Sequence, residues 1–327
     1  MNKCSIDHPA ENGFRECVDR VMRAYECNMA KPTLDVMRRR YNVMEGEILD
    51  LYGMGRISTL CPQDMTAEDI ESIFTFMRSK DGINGSIKPS SLRKDMVNLR
   101  RLCMFDGNRC VDEFKVRFPG CRLTDSQERL PVFSKDQVLR IFAKDLRSIQ
   151  DESLIRSYGL LALYFGAGLR TVELRNALAG NISIGEKGAF IHLDVVKGKG
   201  SYGKPRDAMI LPQMVPMLRM YLDWRSEYLE EEGIDSEFYF FSTCDGSMAT
   251  DSSIRSIRKY AEQDLGIGFD GRKCRRSYGQ FMKDQGVSIE AISVLMGHST
   301  TETTEGYYAR MSSNMAMDDA LHALKGI

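Results

Sequence analysis

Residues 189–211 constrain the fold most, because their apolar pattern is not helical. AFIHLDVV (189–196) and DAMIL (207–211) alternate with the period of two that a half-buried strand requires. The intervening KGKGSYGKPR is rich in glycine, with a proline near its end, so it turns the chain and closes the two segments as an antiparallel hairpin with a basic tip. Elsewhere the apolar residues recur at helical spacing. One helix is expected over 33–51, after Pro32, with Leu34, Met37, Tyr41, Met44 and Ile48 on one face. Another starts at Thr66, where Asp69 can complete a capping box, and carries Ile70, Ile73, Phe74 and Met77. A third follows Ser90, with Leu92, Met96, Leu99 and Cys103 as its apolar stripe and Arg93, Val97, Arg100 and Arg101 toward another face.

The segment 118–130 (FPGCRLTDSQERL) is polar and broken by Pro and Gly, as a linker would be. Beyond it, helices are expected up to about residue 165, then the hairpin, then helices over 213–228, 252–263, 272–284 and 288–296. The expected architecture is mainly α with a small antiparallel β-sheet (α+β). It comprises a helical domain over 1–117, a linker over 118–130 and a larger domain over 131–327.

Charge bears on the choice of partner. Across 327 residues, 45 Lys+Arg stand against 46 Asp+Glu, a net charge of −1, whereas nucleic-acid-binding chains usually carry a basic surplus. The total hides clustering: residues 271–276 hold four cations and no acid, and residues 227–237 form an acidic block. Local fields govern anion binding, so the near-neutral total excludes no polyanionic partner. The nine cysteines show no regular spacing, which argues against a disulfide scaffold. The longest apolar run, 160–169, is short and interrupted by Gly166 and Gly168, and the N-terminus is mixed polar. The expectation is a soluble cytoplasmic protein with no membrane association. Cys4, His8, Cys17 and Cys27 match no compact zinc pattern, and free thiols are expected there rather than a metal.

Four groups of residues can carry chemistry. Arg272, Arg275 and Arg276 fall at i, i+3 and i+4 and share a helix face. Three guanidinium groups on one turn need an anion between them, either an internal carboxylate or a bound phosphate, for which Arg is the best-shaped residue. Gly166–Ala167–Gly168–Leu169 breaks the backbone and presents Arg170 before a new helix, which Thr171 could cap, with Glu173 in its first turn. Gly297 sits where a helix cap is expected, with His298 directly after it. Tyr307, nine residues past His298, is followed by Tyr308. Each group alone is compatible with an ordinary structural role.

In this order, GAGLRTVEL, KGKGSYGKPR and RKCRRSYGQFMKDQGVSIEAISVLMGHSTTETTEGYY resemble the boxes of the tyrosine recombinase (phage integrase/Xer) family. The resemblance covers residues 131–310, and the helical first third is similar to the family's core-binding domain. It implies a site-specific DNA recombinase or integrase that breaks and rejoins strands through a 3′-phosphotyrosyl intermediate, with no metal, ATP or other cofactor. By position, the resemblance makes Tyr307 rather than Tyr308 the nucleophile, with Arg170 and Arg275 as clamping arginines and His298 in the second-box histidine position. It makes Lys199 the hairpin lysine in preference to Lys197 and Lys204, and Glu173 a supporting residue that orients an arginine.

One departure is Arg272, which stands where the family commonly has His; its high pKa makes it a poor proton acceptor. The implied partner is double-stranded DNA with a specific core site, bound by a homotetramer on paired sites or met by a free monomer, so the protein would be nucleoid-associated. Arg93, Lys94, Arg100 and Arg101, with Arg38–Arg40, are the candidate DNA contacts of the first domain. The alternatives are strand relaxation of the type IB topoisomerase kind, or a DNA-binding member of the fold with impaired catalysis.

Overall fold

The computed structural model describes residues 13–79, 81–82, 85–123, 130–186, 188–196, 204–234, 240–241 and 247–298. The chain divides into two compact units, residues 1–127 and 128–327. It is mainly helical, with a small antiparallel sheet in the second unit. Among the described residues, no helix is long and apolar enough to cross a membrane.

The first unit packs α1 (Gly13–Glu26), α2 (Lys31–Gly53), α3 (Ala67–Ser79), α4 (Pro89–Phe105) and α5 (Cys110–Arg117) around one core. Two-residue strands β1 (Asp81–Gly82) and β2 (Gly85–Ser86) pair between α3 and α4. The expected apolar stripes are the buried ones: Met37, Tyr41, Met44 and Ile48 on α2, and Leu92, Met96, Leu99 and Cys103 on α4. Thr66 and Asp69 form the reciprocal cap of α3, each backbone N–H donating to the other's side chain. Helices α1 and α5 add to the expected set. The stretch expected to begin the linker belongs to this unit, because Phe118, Cys121 and Leu123 pack against its core; residues 124–129 lie outside the described residues. Cys17 is buried in this core and Cys27 is exposed, while Cys4 and His8 lie outside the described residues. The seven described cysteines are all free thiols.

The second unit is built around α7 (Glu152–Tyr164), whose residues from Ser157 onward are buried on every face. An α-helix buried all round needs partners on several sides. They include α9 (Val215–Glu231), α10 (Asp251–Leu265) and α11 (Gly271–Asp284), with α6 (Lys135–Phe142) joining the core through Ile141. The short α8 (Thr171–Arg175) and the closing α12 (Ile289–Met296) complete the helices.

The sheet has three strands in the order β3 (Ile182–Gly185), β4 (Gly188–Leu193), β5 (Arg206–Ile210), all antiparallel. The expected hairpin is the β4–β5 pair, in register from Ala189 opposite Ile210 to Leu193 opposite Arg206. Its tip, residues 197–203, lies outside the described residues. Strand β3 was not among the expected elements, since four residues (ISIG) are too short to establish a period.

Candidate active site

Arg170 and Glu173 meet because a left-handed turn precedes α8. Gly168 has φ +62°, and a Cβ there would come within 2.8 Å of the Tyr278 ring. The chain leaves this turn with Arg170 at the N-cap of α8, not Thr171 as the sequence suggests. Thr171 is the first helical residue, and its hydroxyl accepts a hydrogen bond from Tyr164. Glu173 reaches back one turn and accepts from the Arg170 backbone N–H at 2.8 Å and from Arg170 Nη1 at 2.8 Å.

Glu173 is fully buried and faces three guanidinium groups. Besides Arg170, Arg206 Nη2 donates to Oε2 at 3.1 Å, and Arg275 Nη1 lies 3.6 Å from the same oxygen. Burial alone would raise the carboxyl's pKa; the charges of Arg206, Arg275 and Arg170 outweigh it and hold the group below its ordinary value. Three cations against one carboxylate leave an excess of positive charge. The single turn of arginines read from the sequence is therefore only partly the cluster that forms. Arg275 points inward, whereas Arg272 is exposed on the first turn of α11 and makes no ion pair among the described residues. Arg276 donates to the Pro131 carbonyl.

The same three arginines hold the C-terminus of α12. Arg206 donates to the Leu295 carbonyl, Arg275 to that of Met296, and Arg170 to that of Gly297 at 3.2 Å. A helix C-terminus exposes unpaired carbonyls and partial negative charge, so cations are favoured there. Gly297, at φ +61°, lets the chain turn out of the helix, with His298 N–H bonding back to the Ser293 carbonyl and Gly297 N–H to that of Val294, the Schellman pattern. His298 is thereby set beside the arginines. Burial and the charges of Arg275, Arg170 and Arg206 push its pKa down to about 4, so its imidazole is neutral at neutral pH.

Gly297 meets two demands at once. A Cβ there would sit 2.5 Å from Arg206 Cδ, in addition to the cost of a left-handed conformation. Gly297→Ala is expected to destabilise the second unit by at least about 1–2 kcal/mol, the left-handed penalty alone, and to displace Arg206. A thermal melt of the variant beside the native protein checks this; an unchanged transition contradicts it.

Arg206 is the residue missing from the sequence expectations. Its side chain is 11% exposed, and it extends from β5 on the same face as the buried Ala208 and Ile210. The signal was available, since a period of two in RDAMI places Arg206 on the inward face. It had been counted with the basic hairpin tip instead. Lys199, Tyr307 and Tyr308 lie outside the described residues, as does Lys197; Lys204 is exposed.

In the first unit, Arg93, Lys94 and Arg101 of α4 and Arg40 of α2 line one groove of about 300 Å³, with Val36, Met37 and Val97 as its apolar wall. Arg93 also donates to the Leu123 carbonyl, and Arg101 to Asn98 while its guanidinium lies over the Tyr25 ring. Arg100 turns to a different partner, a bidentate pair with Asp112 at 2.8 Å for both bonds. Of the neighbouring cations on α2, Arg38 lies near Asp19 and Glu26, and Arg39 bonds the Asp35 carbonyl.

Residues 131–315 match the phage integrase family. Among curated proteins, the chain is 29% identical over 199 residues to tyrosine recombinase XerA of Thermococcus kodakarensis, covering 58% of this chain and 65% of that one. It is 25% identical over 244 residues to tyrosine recombinase XerC of Leptospira interrogans, covering 73% and 72%. In fold it is similar to the Tn1549 transposon integrase solved with transposon right-end DNA (TM-score 0.67, 13% identity, 95% and 99% coverage). It is equally similar to the XerH site-specific recombinase bound to its difH substrate (TM-score 0.67, 12% identity, 97% and 97% coverage). The match to the family spans more than half the chain and contains every arginine of the Glu173 cluster, and the chain belongs to the phage integrase family of tyrosine recombinases.

Proposed function

We propose that this protein is a site-specific DNA recombinase that cleaves and rejoins strands through a covalent 3′-phosphotyrosyl intermediate. The observation that carries the reading is the set of three guanidinium groups fixed around buried Glu173, with neutral His298 beside them. Such a cationic cup suits a phosphodiester, whose non-bridging oxygens gain negative charge as the nucleophile attacks. Arg170 and Arg275 clamp those oxygens. His298 adds an N–H donor, and exposed Arg272 meets the phosphate from outside.

Tyr307 is the nucleophile in this reading. A phenol with pKa near 10 is a weak nucleophile at neutral pH, and the positive field favours its ionised form. Its proton passes to water, its oxygen bonds to phosphorus, and the bond from phosphorus to the 5′-oxygen breaks. Lys199 protonates the departing oxygen to give a free 5′-hydroxyl. The phosphoester is conserved in the tyrosyl link, so attack by a second 5′-hydroxyl reseals the strand without ATP. Double-stranded DNA is the substrate, and exchange between two duplexes requires paired sites with four subunits. The basic groove of Arg40, Arg93, Lys94 and Arg101 supports phosphate contact by the first unit.

A duplex nicked near the exchange point traps the intermediate by letting the short 5′ fragment diffuse away. The native chain is expected to accumulate a covalent protein–DNA adduct, and Tyr307→Phe to form none. An adduct persisting in that variant would move the nucleophile to Tyr308 or elsewhere. Two differently labelled duplexes then separate strand exchange, which this reading requires, from relaxation alone.

A further inference from the structure

We propose that Arg206 is a positioning residue of the active site: it bridges Glu173 on α8 to the last turn of α12 and thereby sets where His298 and the clamping arginines stand. This rests on the reading of the site as a phosphoryl-transfer centre and adds to it a residue outside the sequence boxes.

The geometry separates Arg206 from its two neighbours. Its Nη2 is committed to Glu173 Oε2 and its Nη1 to the Leu295 carbonyl, so both ends of the fork are spent on the protein. Its Nε is buried without a hydrogen-bond partner. Its side chain is 11% exposed, against 26% for Arg170, which leaves Arg170 the more accessible to a bound phosphate. The stem of Arg206 lies against Gly297 so closely that no Cβ fits there. The residue after a left-handed cap takes its direction from that cap, and the cap rests on Arg206. Arg206 thus touches the element carrying His298 at two successive points, Leu295 and Gly297, while anchored to the carboxylate that also orients Arg170 and Arg275. Only a planar, forked cation spans two acceptors in this way; an ammonium supplies charge without the bridge.

The role predicts a split between binding and cleavage. DNA affinity comes from many phosphate contacts, so losing one buried bridge changes it little. A displaced donor ring slows the chemical step, and misplacements of about 1 Å cost roughly a hundredfold. Single-turnover cleavage of the nicked duplex by Arg206→Gln is therefore expected to fall about a hundredfold, with retention of the same duplex within a few-fold of native. Arg206→Lys is expected to recover less than a tenth of the loss. Recovery to near the native rate by Lys would show that charge alone is needed and overturn the bridging role; native-like cleavage by the Gln variant would overturn it outright.

A second readout does not depend on cleavage. The groups facing the His298 ring are Arg170, Arg206, Arg275 and Glu173. In the free protein, the His298 ring protons followed by NMR across pH are expected to titrate higher in Arg206→Gln than in the native chain, with displaced chemical shifts at neutral pH. An unchanged His298 titration and position in that variant overturns the proposal. Absence of any adduct with the native chain would instead defeat the recombinase reading, while the NMR comparison still decides the role of Arg206.

Discussion

Glu173→Gln is expected to lower the stability of the second unit by about 3–5 kcal/mol, the usual cost of removing one partner from a buried ion cluster. For a unit of this size that corresponds to a fall of roughly ten degrees in melting temperature. Glutamine preserves the shape and can still accept from the Arg170 backbone, so the loss reports charge and not volume. It leaves Arg170, Arg206 and Arg275 facing one another in a site where the carboxylate is fully buried. Inorganic phosphate should then stabilise the variant more than the native protein, because an anion among the guanidinium groups replaces the missing charge.

The pH dependence has a definite sign. The native carboxyl is held below its ordinary value of 4.5, so its contribution is fully present above that pH and is lost as pH falls through the lowered value. The gap between native and variant melting temperatures should therefore narrow on acidification and stay constant above about pH 5. A gap that widens in acid, or a melting temperature unchanged at neutral pH, contradicts the role assigned to Glu173.

Arg275→Gln is expected to reduce single-turnover cleavage by about 10²–10³-fold, the range seen when one preorganised donor is removed from a transition-state site. Arg275 combines the roles of clamp and scaffold. It is 8% exposed, donates to the Gly168 carbonyl at 2.7 Å and to the Met296 carbonyl, and faces Glu173. It thereby ties the turn before α8 to the end of α12. DNA retention should fall much less than cleavage, since phosphate contacts spread over both units carry the affinity. Stability should fall as well, because the Gly168 and Met296 carbonyls lose a charged donor. A variant that binds and cleaves like the native protein would remove Arg275 from the site. Equal losses of binding and cleavage would make it a simple anchor to the DNA backbone.

The helical domain, the hairpin and the order of the functional residues were legible in the sequence because each depends on neighbours in the chain. A stripe such as Leu92, Met96, Leu99 and Cys103 declares its buried face through the helical period, and Asp69 finds Thr66 within one turn. Gly297 likewise announced the end of α12, since a left-handed cap is a local demand. Glu173 was readable as a supporting residue only through the boxes in which it sits.

Tertiary structure decided which cations enter the cup. Arg272 and Arg275 are three residues apart on one helix, yet one is exposed and the other is drawn toward Glu173. Arg206, from a strand, takes the place that the local pattern offered to the helix arginines. The physical reason is that a buried carboxylate and an open helix end accept only the guanidinium groups that packing brings within hydrogen-bonding distance. That distance is fixed by how α8, β5, α11 and α12 stack on the core, over separations along the chain that no local period encodes.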